Sequence, residues 1–162
     1  MSTLIARLIV KIITWAQYKT HGYAISKFTG VSKKANIGTK CVLNIPTGNL
    51  FIGDYTYLNE VHLSSGEKSK ITIGQGCAIG YNVSIKAITH SKDKPTNNSN
   101  GDLKHIEKDI RIGDDCWIGD NVYIREGVSL GNNVIVGANS VVTKSFGDNL
   151  IIAGVPAKII SK

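Results

Sequence analysis

The sequence predicts an all-β protein, a parallel β-helix with one short helix before it and one loop extruded from it. Three observations predict this. From Ile112 to Phe146 the chain runs in blocks of six whose first residue is Ile112, Ile118, Ile124, Leu130, Val136 or Val142. The fifth residue is Cys116, Val122, Val128, Val134, Ser140 and finally the larger Phe146. Upstream, the pattern restarts three times in one form, apolar-x-Ile-Gly, at Leu50–Gly53, Ile71–Gly74 and Ile110–Gly113. A period of six fits neither an amphipathic helix nor an alternating strand. It marks a repeat in which each unit makes one flat side of a coil.

Each block reads as a short strand and a turn. The aliphatic at position one points inward, and the residue at position five points inward near a corner, where it must be small. Gly at position two, and Asn, Asp or Gly at positions three and four, suit a backbone that turns sharply with positive φ. Three sides close a coil of about eighteen residues, and coils stacked at roughly 4.8 Å bury one apolar column.

In chain order, residues 1–35 are a helix and a connector. Leu4, Ile5, Leu8, Ile9, Ile12, Ile13 and Trp15 make residues 3–19 helical, with Arg7, Lys11 and Lys19 interspersed. Charges interrupt the apolar run and no small-residue cleavage site follows, so it is no signal peptide. It is too short and too charged to span a bilayer. Two roles stay open: packing on the coil end or a neighbouring subunit, or a peripheral membrane contact. Residues 20–35, with Gly22, Gly30, Lys33 and Lys34, read as the connector.

The β-helix spans residues 36–148. It breaks at 44–49, at 64–70 and at a long excursion, loop 91–109, whose Ser91–His105 stretch is polar, aperiodic and carries Pro95 and Gly101. A loop of that length is functional or disordered. Residues 149–162 form a C-terminal cap segment in which Pro156 stops the sheet and the remainder covers the open end of the tube.

A chain of 162 residues allows one domain. Its net charge of +7 suits a solvated surface, an anionic membrane or a phosphorylated small molecule. No basic stripe with interleaved aromatics occurs, which argues against nucleic acid. Cys41, Cys77 and Cys116 form no CxxC pair and all fall at position five. They read as core thiols of a reducing, cytoplasmic setting, and no metal site is expected. Gly74-Gln75-Gly76-Cys77-Ala78-Ile79-Gly80 is no dinucleotide loop, because its last spacing is one too long and Gly74 and Gly80 are repeat positions.

Among chemistry-bearing residues His90 stands out. It ends the side begun at Ile85 and opens the long loop, so it is rigid underneath and accessible above. An imidazole supplies a base near neutral pH. His62 falls at a fifth position and reads as structural, His105 precedes a restart and lines the cleft, and His21 lies in the connector.

The hexads, with Thr89-His90-Ser91-Lys92-Asp93 and Gly137-Ala138-Asn139-Ser140-Val141-Val142-Thr143-Lys144, resemble the hexapeptide-repeat acyltransferases, in their sugar, galactoside and maltose O-acetyltransferase-like branch. The resemblance covers roughly residues 37–160 and implies a left-handed coil, against the usual crossover rule. It implies acetyl-CoA as acyl donor, no metal, and a homotrimer with the coenzyme between coils of two subunits. His90 would take the proton of the acceptor hydroxyl. Asn59 would contact acceptor sugar hydroxyls across a subunit boundary. Trp117, at an outward-facing position six, makes a wall for a ligand or a subunit contact. Gly119 would present backbone groups beside the thioester, and Ala138 would meet the pantetheine arm. Thr143, Lys144 and Lys158 would lie near the pantetheine and phosphates, the lysines as point charges. Two departures occur. Asp120 stands where sugar acetyltransferases often carry Ser, and Ser145-Phe146 replaces a frequent Pro-Pro pair.

The function expected is acetyl-CoA-dependent O-acetylation of a sugar hydroxyl, as in surface polysaccharide biosynthesis, by a chain peripheral to the inner membrane if its helix touches lipid. A His base serves N-acetylation of an amino sugar or nucleotide sugar equally well. A non-catalytic β-helix scaffold or binding module is the rival of another class.

Overall fold

The computed structural model describes residues 3–91 and 104–161. Its strands are short because each flat side is short, and they stack in parallel into three sheets. The first sheet collects β1 (Asn36–Ile37), the start of β4 (Tyr57–Ser64), the start of β6 (Ala78–Lys86), β10 (Trp117–Ile118), β13 (Ile135–Val136) and β15 (Ile151–Gly154). The second collects β2 (Val42–Asn44), the ends of β4 and β6, β11 (Tyr123–Ile124) and β14 (Val141–Val142). The third collects β3 (Leu50–Ile52), β5 (Ile71–Ile73), β9 (Ile110–Ile112) and β12 (Ser129–Leu130).

Where the repeat is unbroken, rungs lie eighteen residues apart, as in Trp117↔Ile135 and Tyr123↔Val141. Upstream the step is twenty-one, as in Asn36↔Tyr57, and across the long excursion it is thirty-nine, as in Ala78↔Trp117. All three excursions leave from one edge, between the second and third sheets. They also brace one another there. Asn49 Nδ2 donates to Gly66 O at 2.9 Å, Lys68 N donates to Glu107 Oε2 at 2.7 Å, and Lys70 N donates to Asp109 Oδ1 at 2.8 Å.

The core is the predicted column. Ile112, Ile118, Ile124, Leu130, Val136 and Val142 are buried, as are Cys116, Val122, Val128, Val134 and Ser140. Phe146 is buried too, but it pairs with Leu130 in a position-one place rather than at position five, because the last side is two residues shorter. Polar residues in the inward slots are satisfied: Thr56 Oγ1 donates to Gly74 O at 2.6 Å, and Ser140 Oγ to Gly137 O at 2.6 Å. Position four supplies the turn, with positive φ at Asp115, Asn121, Gly127, Asn133 and Asn139. At two edges these Asn side chains form ladders, Asn82–Asn121–Asn139 and Asn133–Asn149.

Four further expectations need correction. The helix α1 runs Thr3–Ser26, not 3–19. Gly22 does not break it, and His21 Nε2 lies 2.9 Å from Ile37 O, which ties its end to the first rung. His62 faces solvent rather than the core. The register shifts between Glu60 and Val61, so Val61 takes the inward slot. Cys77 and Cys116 are buried free thiols, but Cys41, on the first rung, is only half-buried. The long excursion is not all loop: β7 (Ile88–His90) and β8 (His105–Glu107) pair antiparallel at its base. Residues 92–103 of the expected loop lie outside the described residues. At the C-terminus Pro156 ends the parallel stack, and β16 (Ala157–Ser161) returns antiparallel to β15.

Candidate active site

The ribbon β7–β8 positions His90. Its first residue, Ile88, pairs with Glu107, which is itself fixed to the excursion at Lys68. At the ribbon's open end His90 faces His105, ring centroids 4.9 Å apart. His90, Thr89, Ser91 and Ile106 form one wall of a cleft of about 580 Å³; Tyr123, Arg125, Glu126 and Thr143 form the rest. The cleft lies along the second sheet toward the edge that bears the excursions.

Three of these residues escaped the sequence reading. Arg125 and Glu126 occupy positions two and three of a block, where Gly and Asp or Asn are usual. At position three of the two preceding blocks the side chain bonds to the neighbouring rung: Asp114 Oδ1 accepts from Gln75 N, and Asp120 Oδ1 accepts from Tyr81 N. Glu126 instead is 7% exposed and accepts from Arg125 Nε at 3.2 Å and from Arg125 Nη2. Burial pushes its carboxyl up. The Arg125 hydrogen bond, its own backbone N–H, and the charges of Arg125 and Lys108 outweigh that and hold it below the ordinary carboxylate value. The Tyr123 hydroxyl is pushed up by burial and by the Glu126 charge. The signal that could have found the pair is the missing Gly at position two.

A second groove, of about 340 Å³, lies on the edge between the first and second sheets. Trp117, Ile135, Val136, Gly119, Gly137, Ala138 and Asp120 line it. Trp117 projects, 58% exposed. Gly119 is a packing requirement: a Cβ there would stand 2.7 Å from Ala138 N. Asn59 follows Leu58, whose column continues through Ile79, Ile118 and Val136, so it belongs to this edge too. So does Lys158, paired with Ala153 one rung beyond Gly137.

The structure therefore sorts the candidates into two groups. His90 and Thr143 share the first cleft, and Lys144 lies beside them with Nζ 5.5 Å from the Phe146 ring centroid. Asn59, Trp117, Gly119, Ala138 and Lys158 share the other edge. Within one protomer the second sheet lies between the two groups.

The family model for the bacterial transferase hexapeptide, of six repeats, matches residues 109–144. A hexapeptide-repeat acetyltransferase from Vibrio cholerae, solved with acetyl coenzyme A, is 30% identical, with 88% of this chain and 76% of that one covered and a TM-score of 0.69. This chain is a hexapeptide-repeat acetyltransferase by family. A second solved member, a maltose O-acetyltransferase from Clostridium difficile 630, is 25% identical, with 99% and 89% covered and a TM-score of 0.74. An Escherichia coli K12 protein named for lipopolysaccharide biosynthesis O-acetyl transfer is 39% identical over 122 residues, 71% of this hexapeptide-repeat chain and 61% of that relative. The hexapeptide-repeat chain spans 58–61% of the length of the curated relatives it matches. The expected family is borne out, and with it the fold: the coil is the left-handed parallel β-helix of the hexapeptide-repeat acetyltransferases.

Proposed function

We propose that the chain is an acetyl-CoA-dependent O-acetyltransferase acting on a sugar hydroxyl, with His90 as general base. The observation that carries this reading is the first cleft: an exposed imidazole on a braced ribbon, facing a polar wall of Tyr123, Arg125, Glu126 and Thr143. Acetyl-CoA supplies the activated acetyl group. His90 removes the proton from the acceptor hydroxyl as its oxygen attacks the thioester carbonyl; the C–O bond forms, the C–S bond breaks, and the imidazolium returns the proton to the departing coenzyme thiolate. Tyr123 and Thr143 offer hydroxyls that both donate and accept, the pattern that recognises a saccharide.

The second groove suits the arm of the coenzyme. Its wall of Trp117, Ile135 and Val136 is apolar, and Gly119, Gly137 and Ala138 leave backbone accessible for hydrogen bonds. Lys158 at the far end of that edge supplies a cation for phosphate. His90 is on a different edge of its own protomer, and the reading therefore includes a homotrimer. The His90 edge of one protomer closes against the Trp117–Ala138 edge of the next. Asn59 on that edge then faces the His90 of the neighbour. The maltose and lipopolysaccharide relatives support a saccharide acceptor.

The test is turnover of acetyl-CoA, read as free thiol, over a panel of saccharide acceptors and amino sugars. His90→Ala lowers kcat/KM by about 10²–10⁴ with coenzyme affinity retained. A chain that binds no coenzyme, or a His90→Ala variant with full turnover, overturns the reading.

A further inference from the structure

The helix α1 buries no residue against the coil. Leu4, Leu8, Ile9, Ile12, Ile13 and Trp15 are 41–76% exposed. At 3.6 residues per turn they fall with Ile5 and Ala16 on one half of the cylinder, while Arg7, Lys11, Thr14, Gln17 and His21 fall on the other, with Val10 and Tyr18 among them.

Charge says what meets the exposed apolar half. The first 53 residues carry seven of the nineteen Lys and Arg and none of the twelve Asp and Glu. The rest of the chain is balanced, so the whole formal charge of +7 resides on α1 and the first rung. Lys34 and Lys40 are held by Asp54 and Glu60 of the coil. Among the described residues Arg7, Lys11, Lys19 and Lys33 form no ion pair.

We propose that α1 lies in the surface of an anionic lipid bilayer, its apolar half in the acyl boundary and its cations on the headgroups. Among the described residues no helix is long and apolar enough to cross a membrane, so the contact is peripheral. Lys19 falls on the apolar half near the helix's C-terminal turns and reaches headgroups by its long stem. A second copy of α1 is the poorer occupant. Pairing through the apolar half would bury Lys19 at the contact and leave Arg7 and Lys11 in solvent, and the helix has no carboxylate to neutralise these cations. Anionic headgroups neutralise them and accept the apolar half at once.

The experiment is flotation of the full chain with vesicles of phosphatidylcholine alone or with one-third phosphatidylglycerol, at low and high salt. The expected result is binding to the anionic vesicles only, weakened by salt, with a blue shift of Trp15 fluorescence read in a Trp117→Phe chain. Arg7→Glu with Lys11→Glu lowers partitioning about tenfold or more. Leu8→Asp with Ile12→Asp abolishes it. Both double variants keep the thermal transition of the coil, because Arg7, Leu8, Lys11 and Ile12 are exposed and far from the end of α1 that packs on the coil. A chain that ignores anionic vesicles at low salt overturns the proposal. So does a Leu8→Asp/Ile12→Asp chain whose solution mass falls while vesicle binding stands, since the apolar half would then be a contact between copies.

Discussion

At the scale of single residues, the most informative is Glu126. Its carboxylate is nearly covered, and among the described residues its one charged hydrogen-bond partner, Arg125, is half-exposed. Solvent screening of the arginine keeps the pair's contribution modest, about 1 kcal/mol. Glu126→Gln retains the shape and removes the charge, so thermal unfolding at neutral pH shifts down by a few degrees. The pH dependence has a definite sign. The folded-state value is below the ordinary 4.5, so the stabilisation is full above that value and is lost as pH falls through the folded-state value. The gap between wild type and Glu126→Gln in a series of melts closes only at acid pH. A gap that widens in acid would mean the carboxyl is held neutral instead. None of this was legible beforehand. Position three normally faces solvent, and what covers Glu126 is the foot of the long excursion, whose Lys108 side chain lies over Gly127. His90 and Thr143, by contrast, were found through the family motifs, and their sharing a cleft follows from the excursion leaving the coil beside Arg125.

At the scale of elements, the six-residue period made the rungs readable almost residue by residue. Position one, position five and position four each have a single physical job, so the pattern survives at every coil. What it hid were departures of one or two residues, as where Phe146 pairs with Leu130 after a step of sixteen. At Glu60–Val61 one residue fewer in the corner sends His62 outward, and no local composition announces it. Gly22 looked like a break, but an isolated Gly in a helix costs only about 1 kcal/mol, and α1 absorbs it. The corner glycines give a paired prediction. Gly119→Val drives a Cβ to within 2.7 Å of Ala138 N on the next rung, backbone against backbone. The stack must part, at about 1–3 kcal/mol, and the melting temperature drops by several degrees. Gly147→Ala meets nothing within 4 Å and leaves the transition unchanged. Equal effects at the two sites, read by calorimetry, would show that the stacking distance does not govern the choice of glycine.

At the scale of the whole molecule, the separation of the two residue groups fixes how copies must cooperate if the proposed reaction occurs. His90 and Thr143 lie toward the edge that carries the excursions; Trp117, Gly119 and Ala138 lie on the neighbouring edge. A rigid coil cannot fold one edge onto the other, because each rung is locked to the next by the ladder of backbone bonds and by the Asn side chains at the corners. In a closed cyclic assembly, however, the contact is heterologous, and one edge of each protomer meets the other edge of its neighbour. His90→Ala disables the first edge, and Ala138→Trp fills the groove of the second. Each homogeneous variant is inactive. When the two are unfolded together and refolded at equal amounts, a shared site is intact wherever an Ala138→Trp protomer offers its His90 to a His90→Ala protomer with an open groove. Random assembly makes that about one interface in four, so the mixture regains about a quarter of wild-type turnover. Recovery requires exchange of subunits, and simple mixing of the folded variants gives little at first. A mixture that stays inactive after co-refolding, with its solution mass still that of an oligomer, would place both groups' chemistry within one protomer and end the shared-site arrangement.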